Sequence, residues 1–291
     1  MQRAHSTHRE EDRTEASEDP IPDSEGITSD EWLRGYFTAS NVDVAGGAPP
    51  ARPAKWKNFD FLRLRDRALH MLELAPGKAV LDIGCANGAT MVYCGLQGAT
   101  VHGCDLDERA VGFANNELAR FDIRGEAIVG DATKLTAYAD DTFDAVISSD
   151  FVEHITDEQK VAMLLEAKRV LKPGGLLVIK TPNLAYLEAS LFYKRIRAVR
   201  RFENPMKFVI PHTPGTDDPQ HIGLATRWSF TNCLIKAGFL NYEFHYAPLR
   251  RFGTSGLVEI LSTEIPVVRD WLCEDLFCKA YKPIVASHFP D

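Results

Sequence analysis

Along residues 78–183 the apolar positions fall into short runs separated by amphipathic stretches. Unbroken apolar runs predict strands at Lys78–Ile83, Thr100–Asp105, Glu126–Val129, Phe143–Ser149 and Leu176–Thr181. Between them the spacing changes to that of helices. Asp107–Arg120 puts Val111, Ala114, Leu118 and Phe121 on one face behind an Asp107 cap, and a shorter helix runs from Ala89 to about Leu96. Thr156–Asp157–Glu158–Gln159 reads as a capping box opening a helix to Leu171, which Pro173–Gly174–Gly175 stops. Further on, the pattern predicts a helix at Thr231–Ala237 closed by Gly238, strands at 240–247 and 277–287, and short helices at 256–263 and 267–274. Ahead of the first strand, Trp56–Leu72 aligns Phe61, Leu64, Ala68 and Leu72 on one helical face. Continuous strands spaced by helices imply a parallel sheet covered on both faces, with ligands beyond the carboxyl ends of the strands.

Composition changes this picture mainly at the N-terminus. Residues 1–31 hold ten acidic side chains against three arginines, which is −7 of the chain's net −8. The acidic balance therefore describes a solvated arm, and the rest of the chain is nearly neutral. With the Gly/Pro/Ala stretch 43–54, residues 1–54 read as a disordered arm and linker, and 55–291 as one domain. No apolar stretch suggests membrane insertion or a secretory leader, and no basic module suggests nucleic acid. The six cysteines form no paired framework, which points to reduced thiols and a cytoplasmic setting.

The candidate chemistry sits at the strand exits. In LDIGCANGAT (81–90), Gly84 and Gly88 open the backbone to a ligand, but Ala86 breaks the G-x-G-x-x-G of dinucleotide sites. Acids end four strands in turn: Asp82, Asp105, Asp131 and Asp150. Asp105 is spaced to take a ribose diol, Asp131 an exocyclic amine, and Asp82 an ammonium group. Such a ring favours a cationic nucleoside and repels a pyrophosphate.

VLDIGCANG (80–88), GCDLD (103–107), GDA (130–132), FDAVISSDFVEH (143–154) and LKPGGLLVIKTPN (171–183) together resemble the successive motifs of class I S-adenosylmethionine-dependent methyltransferases. The resemblance implies a Rossmann-like, doubly wound α/β fold with a seven-stranded sheet whose last strand is antiparallel. It also implies that Gly84, Cys85 and Gly88 line the cofactor with backbone, that Asp105 holds the ribose, and that Leu106 packs on the adenine. Asp131 and Ala132 bind the adenine edge, and Asp82 and Asp150 complete the cofactor set. An NAD-dependent dehydrogenase and a catalytically silent cofactor-binding partner are the alternatives.

The acceptor side belongs to the unmatched segments. Residues 184–228 read as a helical lid insertion, and KRIRAVRR (194–201) within it suggests a small-molecule acceptor that is phosphorylated, nucleotide-linked or sugar-like. Trp56, Phe59 and Arg63 are candidates to touch the cleft. O-methylation requires a proton acceptor, for which His154 and His221 are the candidates, with His212 third. Asp150–Phe151–Val152–Glu153–His154 resembles the E-x-x-E-H of ubiquinone-pathway O-methyltransferases, where a divalent metal such as magnesium is held. The same resemblance offers Asp150, Glu153 and His154 as metal ligands, although the metal-free reading is preferred. Oligomeric state is not legible.

Overall fold

A computed structural model describes residues 67–210, 221–246, 263 and 265–284. The strands are β1 (Ala79–Ile83), β2 (Thr100–Asp105), β3 (Gly125–Val129), β4 (Phe143–Ser149), β5 (Leu171–Pro182), β6 (Asn241–Tyr246) and β7 (Asp275–Tyr281). The helices are α1 (Ala89–Leu96), α2 (Glu108–Arg120), α3 (Asp157–Val170), α4 (Leu184–Arg200), α5 (Arg227–Ala237) and α6 (Pro266–Leu272). The seven strands lie in the order β3-β2-β1-β4-β5-β7-β6. Strands β1 to β5 pair in parallel, and β7 runs antiparallel to both of its neighbours. This is the doubly wound α/β architecture expected from the alternating pattern.

The continuous apolar runs have a physical reason. Strand side chains alternate between faces, so a sheet covered on both sides needs apolar residues at every position. In β5, Leu176 and Val178 enter one core while Leu177 and Ile179 enter the other. The first core holds Met91 and Cys94 of α1 with Val111, Ala114 and Leu118 of α2. The second holds Met163, Leu164 and Ala167 of α3 with Phe230 and Leu234 of α5.

Helix boundaries follow their caps. The Asp107 carboxylate accepts from the N–H of Arg109 and Ala110, and Thr156 and Gln159 form the reciprocal capping box. Three boundaries differ from expectation by more than two residues, one of them the end of β7, which stops at Tyr281 against an expected 287. The α3 helix ends at Val170, and β5 begins at once with Leu171 beside Phe143, before a register shift carries it past Pro173–Gly174–Gly175. The α5 helix starts four residues early because Thr226 caps it through Ser229. Residues 67–71 are helical, with Ala68 and Leu69 buried. The expected helix at 256–263 lies outside the described residues except at its last position, as do Trp56, Phe59, Arg63 and His212 and almost all of the 1–54 arm, linker and early helix.

Candidate functional site

The strand order reverses between β1 and β4, since the chain builds outward from β1 to β3 and then returns to place β4 on the other side of β1. A crevice opens beyond the carboxyl ends at such a point. Along that edge the four acids stand in the spatial order Asp131, Asp105, Asp82, Asp150.

The glycine loop bridges β1 and α1 over this crevice. Gly84 has φ +75°, and a Cβ there would lie 2.5 Å from the Phe151 ring, so the loop and the segment after β4 meet only because position 84 lacks a side chain. Gly88 caps α1 with no side-chain hydrogen bond, leaving the first-turn backbone donors available to an anionic group. Between them Ala86 takes φ +43°, a left-handed conformation that L side chains resist. Its N–H donates to Asp105 Oδ2 at 2.9 Å, while the N–H of Asp107 donates to Oδ1 at 3.0 Å. One carboxylate thus braces the loop and keeps further lone pairs for a ligand.

Further groups flank the loop along the strand ends. Leu106 is 71% exposed directly after Asp105, an apolar plate with nothing on it. Asp131 is exposed and accepts from the N–H and hydroxyl of Thr133, bonds that lower its pKa, while Ala132 is buried beside it. Asp82 is buried at the end of β1. Cys85 is also buried, and burial followed by the charges of Asp82 and Asp105 raises its thiol pKa well above the usual value. It meets the crevice as an uncharged group. All six cysteines are buried, and none is in a disulfide.

A second cluster lies at the end of β4. Asp150 sits at φ +55° and pairs with Lys180, whose ammonium also reaches Asp275 at 3.3 Å. Burial alone would lower the Lys180 pKa, but the two carboxylates outweigh it and raise the value. Val152–His154 then forms one 3₁₀ turn. Glu153 is buried, accepts from the Thr181 hydroxyl at 3.0 Å, and is pushed up to about 8, by burial first and then by Asp150. His221 arrives from 67 positions further along. The Gly223 N–H donates to the Glu153 carbonyl at 2.8 Å, and Lys160 clamps the Gly223 carbonyl at 2.5 Å. As a result the rings of His154 and His221 meet edge to face, with centroids 4.4 Å apart.

Ligand atoms of Glu153, His154 and His221 all lie within 4.8 Å of one another. Two imidazoles and a carboxylate suit a borderline divalent cation. Of the metal set read from the sequence, Glu153 and His154 belong to this group, whereas Asp150 is engaged by Lys180. Lys180, Thr181, Phe151 and Gly223 were not singled out from the sequence. The one available signal was a lysine inside an apolar strand, which a fold tolerates only when the charge is paired.

The basic stretch 194–201 lies on the last turns of α4, not on the first, which is fixed at the β5 end by Asn183. Arg195 turns back to the Phe208 carbonyl at 3.1 Å. Among the described residues no helix is long and apolar enough to cross a membrane.

Residues 81–179 match a family described as "Methyltransferase domain". Over 144 residues the chain is 34% identical to 27-O-demethylrifamycin SV methyltransferase of Amycolatopsis mediterranei, covering 47% of this chain and 51% of that protein. Over 130 residues it is 37% identical to phosphoethanolamine N-methyltransferase 3 of Arabidopsis thaliana, covering 43% and 26%. The chain thus spans about half or less of the length of these relatives. A SAM-dependent methyltransferase from Archaeoglobus fulgidus shares the fold, with a TM-score of 0.53 at 20% identity over 79% of this chain and 97% of that one. Gly84, Asp105, Asp131 and the turn after β4 all fall within the matched span. The chain therefore carries a class I S-adenosylmethionine-dependent methyltransferase domain.

Proposed function

We propose that the chain transfers a methyl group from S-adenosylmethionine to a hydroxyl of a small metabolite, with His221 and His154 handling the proton. The observation that carries this reading is the imidazole pair at 4.4 Å above buried Glu153, next to the ring that packs on Gly84. Bound S-adenosylmethionine supplies an electrophilic methyl group on a sulfonium. Asp105 takes the ribose hydroxyls, Leu106 underlies the adenine, and Asp131 with Ala132 meets its edge. The α1 N-terminus receives the methionine carboxylate, and Asp82 keeps the rim anionic toward the cationic donor, while Asp150, paired with Lys180, completes the cofactor set.

Displacement at a methyl group asks mainly for alignment of donor and acceptor, which the braced loop provides. The acceptor oxygen becomes a good nucleophile as its proton passes to an imidazole nitrogen. Glu153 lies within reach of both rings, and with its pKa raised to about 8 it stands there as the neutral acid at pH 7. A second reading is favoured by the same three residues: a divalent ion held by Glu153, His154 and His221 would lower the pKa of a bound hydroxyl. The two relatives act on an oxygen and a nitrogen, by their names, so the acceptor atom needs its own test.

Transfer of labelled methyl from S-adenosylmethionine to a panel of small hydroxyl and amine acceptors tests the proposal. Hydroxyl acceptors should be labelled, with turnover insensitive to chelators and reduced about 100-fold or more in His221→Ala. Labelling of amines alone would replace the acceptor assignment. Loss of turnover on chelation, restored by magnesium, would replace the unaided histidine with a metal.

A further inference from the structure

The α4 helix has an unusual surface. Among its 17 residues Ala198 is the one fully buried side chain, so this helix does not supply a core face. Its apolar residues are nevertheless patterned. Phe192, Ile196 and Val199 stand at i, i+4 and i+7 and are 69%, 45% and 60% exposed, and Phe202 just beyond the helix is fully exposed. Such a stripe normally faces the interior. Here it faces outward, and one flank is cationic: Arg200 adjoins the stripe with Arg197 further round, while Lys194 and Arg201 lie on the opposite side of the helix. Tyr193, Ile196, Arg197, Arg200 and Arg201 line a shallow concavity of about 320 Å³.

We propose that this face of α4 docks the protein on a lipid surface that carries anionic headgroups. The inference rests on the α4 surface and not on the transfer chemistry. An outward apolar stripe with long cationic side chains beside it is the arrangement that lies in the plane of a membrane interface. The rings enter the headgroup boundary while the arginines reach anionic phosphates, and their aliphatic stems cover apolar surface.

Three other occupants fit less well. A two-fold pairing of this face would set Arg197 and Arg200 against the same two arginines, and a single helix face is small against the roughly 800 Å² per partner of a standard interface. Nucleic acid offers phosphates but no apolar layer for Phe192, Ile196 and Phe202. A small anionic acceptor would have to reach the last turns, and Arg197 lies 13 positions from the helix start, about 20 Å along the axis from the reacting end.

The test is flotation of the full-length chain with vesicles of phosphatidylcholine, alone or mixed with phosphatidylglycerol. The chain should be retained at least about tenfold better by the anionic vesicles, and retention should fall with salt. Arg197→Glu/Arg200→Glu and Phe192→Ser/Ile196→Ser should each lower retention about tenfold or more, with circular dichroism and cofactor affinity unchanged. That last readout separates failure of this inference from failure of the methyltransferase reading. Equal behaviour on neutral and anionic vesicles would overturn the proposal. So would a concentration-dependent dimer that both variants abolish without any vesicle retention, since that would assign the face to a second copy.

Discussion

Ala86 and Glu153 carry most of the tension at the site. Ala86 holds φ +43° in a loop whose two ends are glycines of positive φ. Ala86→Gly should relieve about 1–2 kcal/mol of strain, offset in part by the freer unfolded chain, for a net gain of about 0.5–1 kcal/mol in urea unfolding. No gain would mean that the alanine is unstrained there. Glu153 is the other case. Its native pKa is raised from the ordinary 4.5 to about 8, so the unfolded chain binds fewer protons between those values. Stability should therefore fall as pH rises from about 4.5 through about 8, by on the order of 1–3 kcal/mol, and Glu153→Gln should lack that fall. A wild type with flat stability across the window would place the proton elsewhere. At this scale the sequence was legible where chemistry is local. Asp105, Leu106 and Asp131 sit where the motif order predicts. The Lys180–Asp150 pair and the His154–His221 contact were not legible, because they join residues 30 and 67 positions apart and spacing carries no such information.

The elements that bring His221 to the site depend on few bonds. The Thr226 hydroxyl accepts from the Ser229 N–H at 3.1 Å and the Thr226 N–H donates to the Ser229 hydroxyl at 3.0 Å, which fixes the cap of α5 five residues after His221. Thr226→Ala should destabilise the protein by about 1 kcal/mol in thermal unfolding. It should also reduce turnover with little change in cofactor affinity, because the loosened segment is the one that carries His221. Equal loss of cofactor affinity would show that the segment also supports the donor pocket. This cap was hidden in the sequence by its chemistry. The box at Thr156 uses Gln159 and is easily read, whereas the box at Thr226 uses a serine. The start of β5 was hidden by a different cause: Pro173–Gly174–Gly175 reads as a turn, but pairing with β4 and β7 holds the flanking chain extended.

At the scale of the whole molecule, the central strands β1, β4 and β5 were legible because both their faces are covered and most of their positions had to be apolar. Seven strands and an antiparallel β7 followed from the family resemblance, and the order of the strands is seen in the structure. The α4 helix was legible as a basic stretch, but its exposed apolar stripe was not, since periodicity places such a stripe without saying what covers it. The account as a whole turns on the ligand of the strand-end crevice. In the proposed reading its residues offer backbone donors, an apolar plate and four carboxylates, Asp150 among them paired with Lys180, a set suited to a cationic nucleoside and hostile to a pyrophosphate. Isothermal calorimetry of the intact chain with S-adenosylmethionine and with NAD tests this most directly. The account predicts micromolar binding of the sulfonium nucleoside, no detectable heat with NAD, and a loss of about 1.5–3 kcal/mol in binding when Asp105 is changed to Ala. Tighter binding of NAD than of S-adenosylmethionine, or an Asp105→Ala chain that binds the cofactor unchanged, would contradict it.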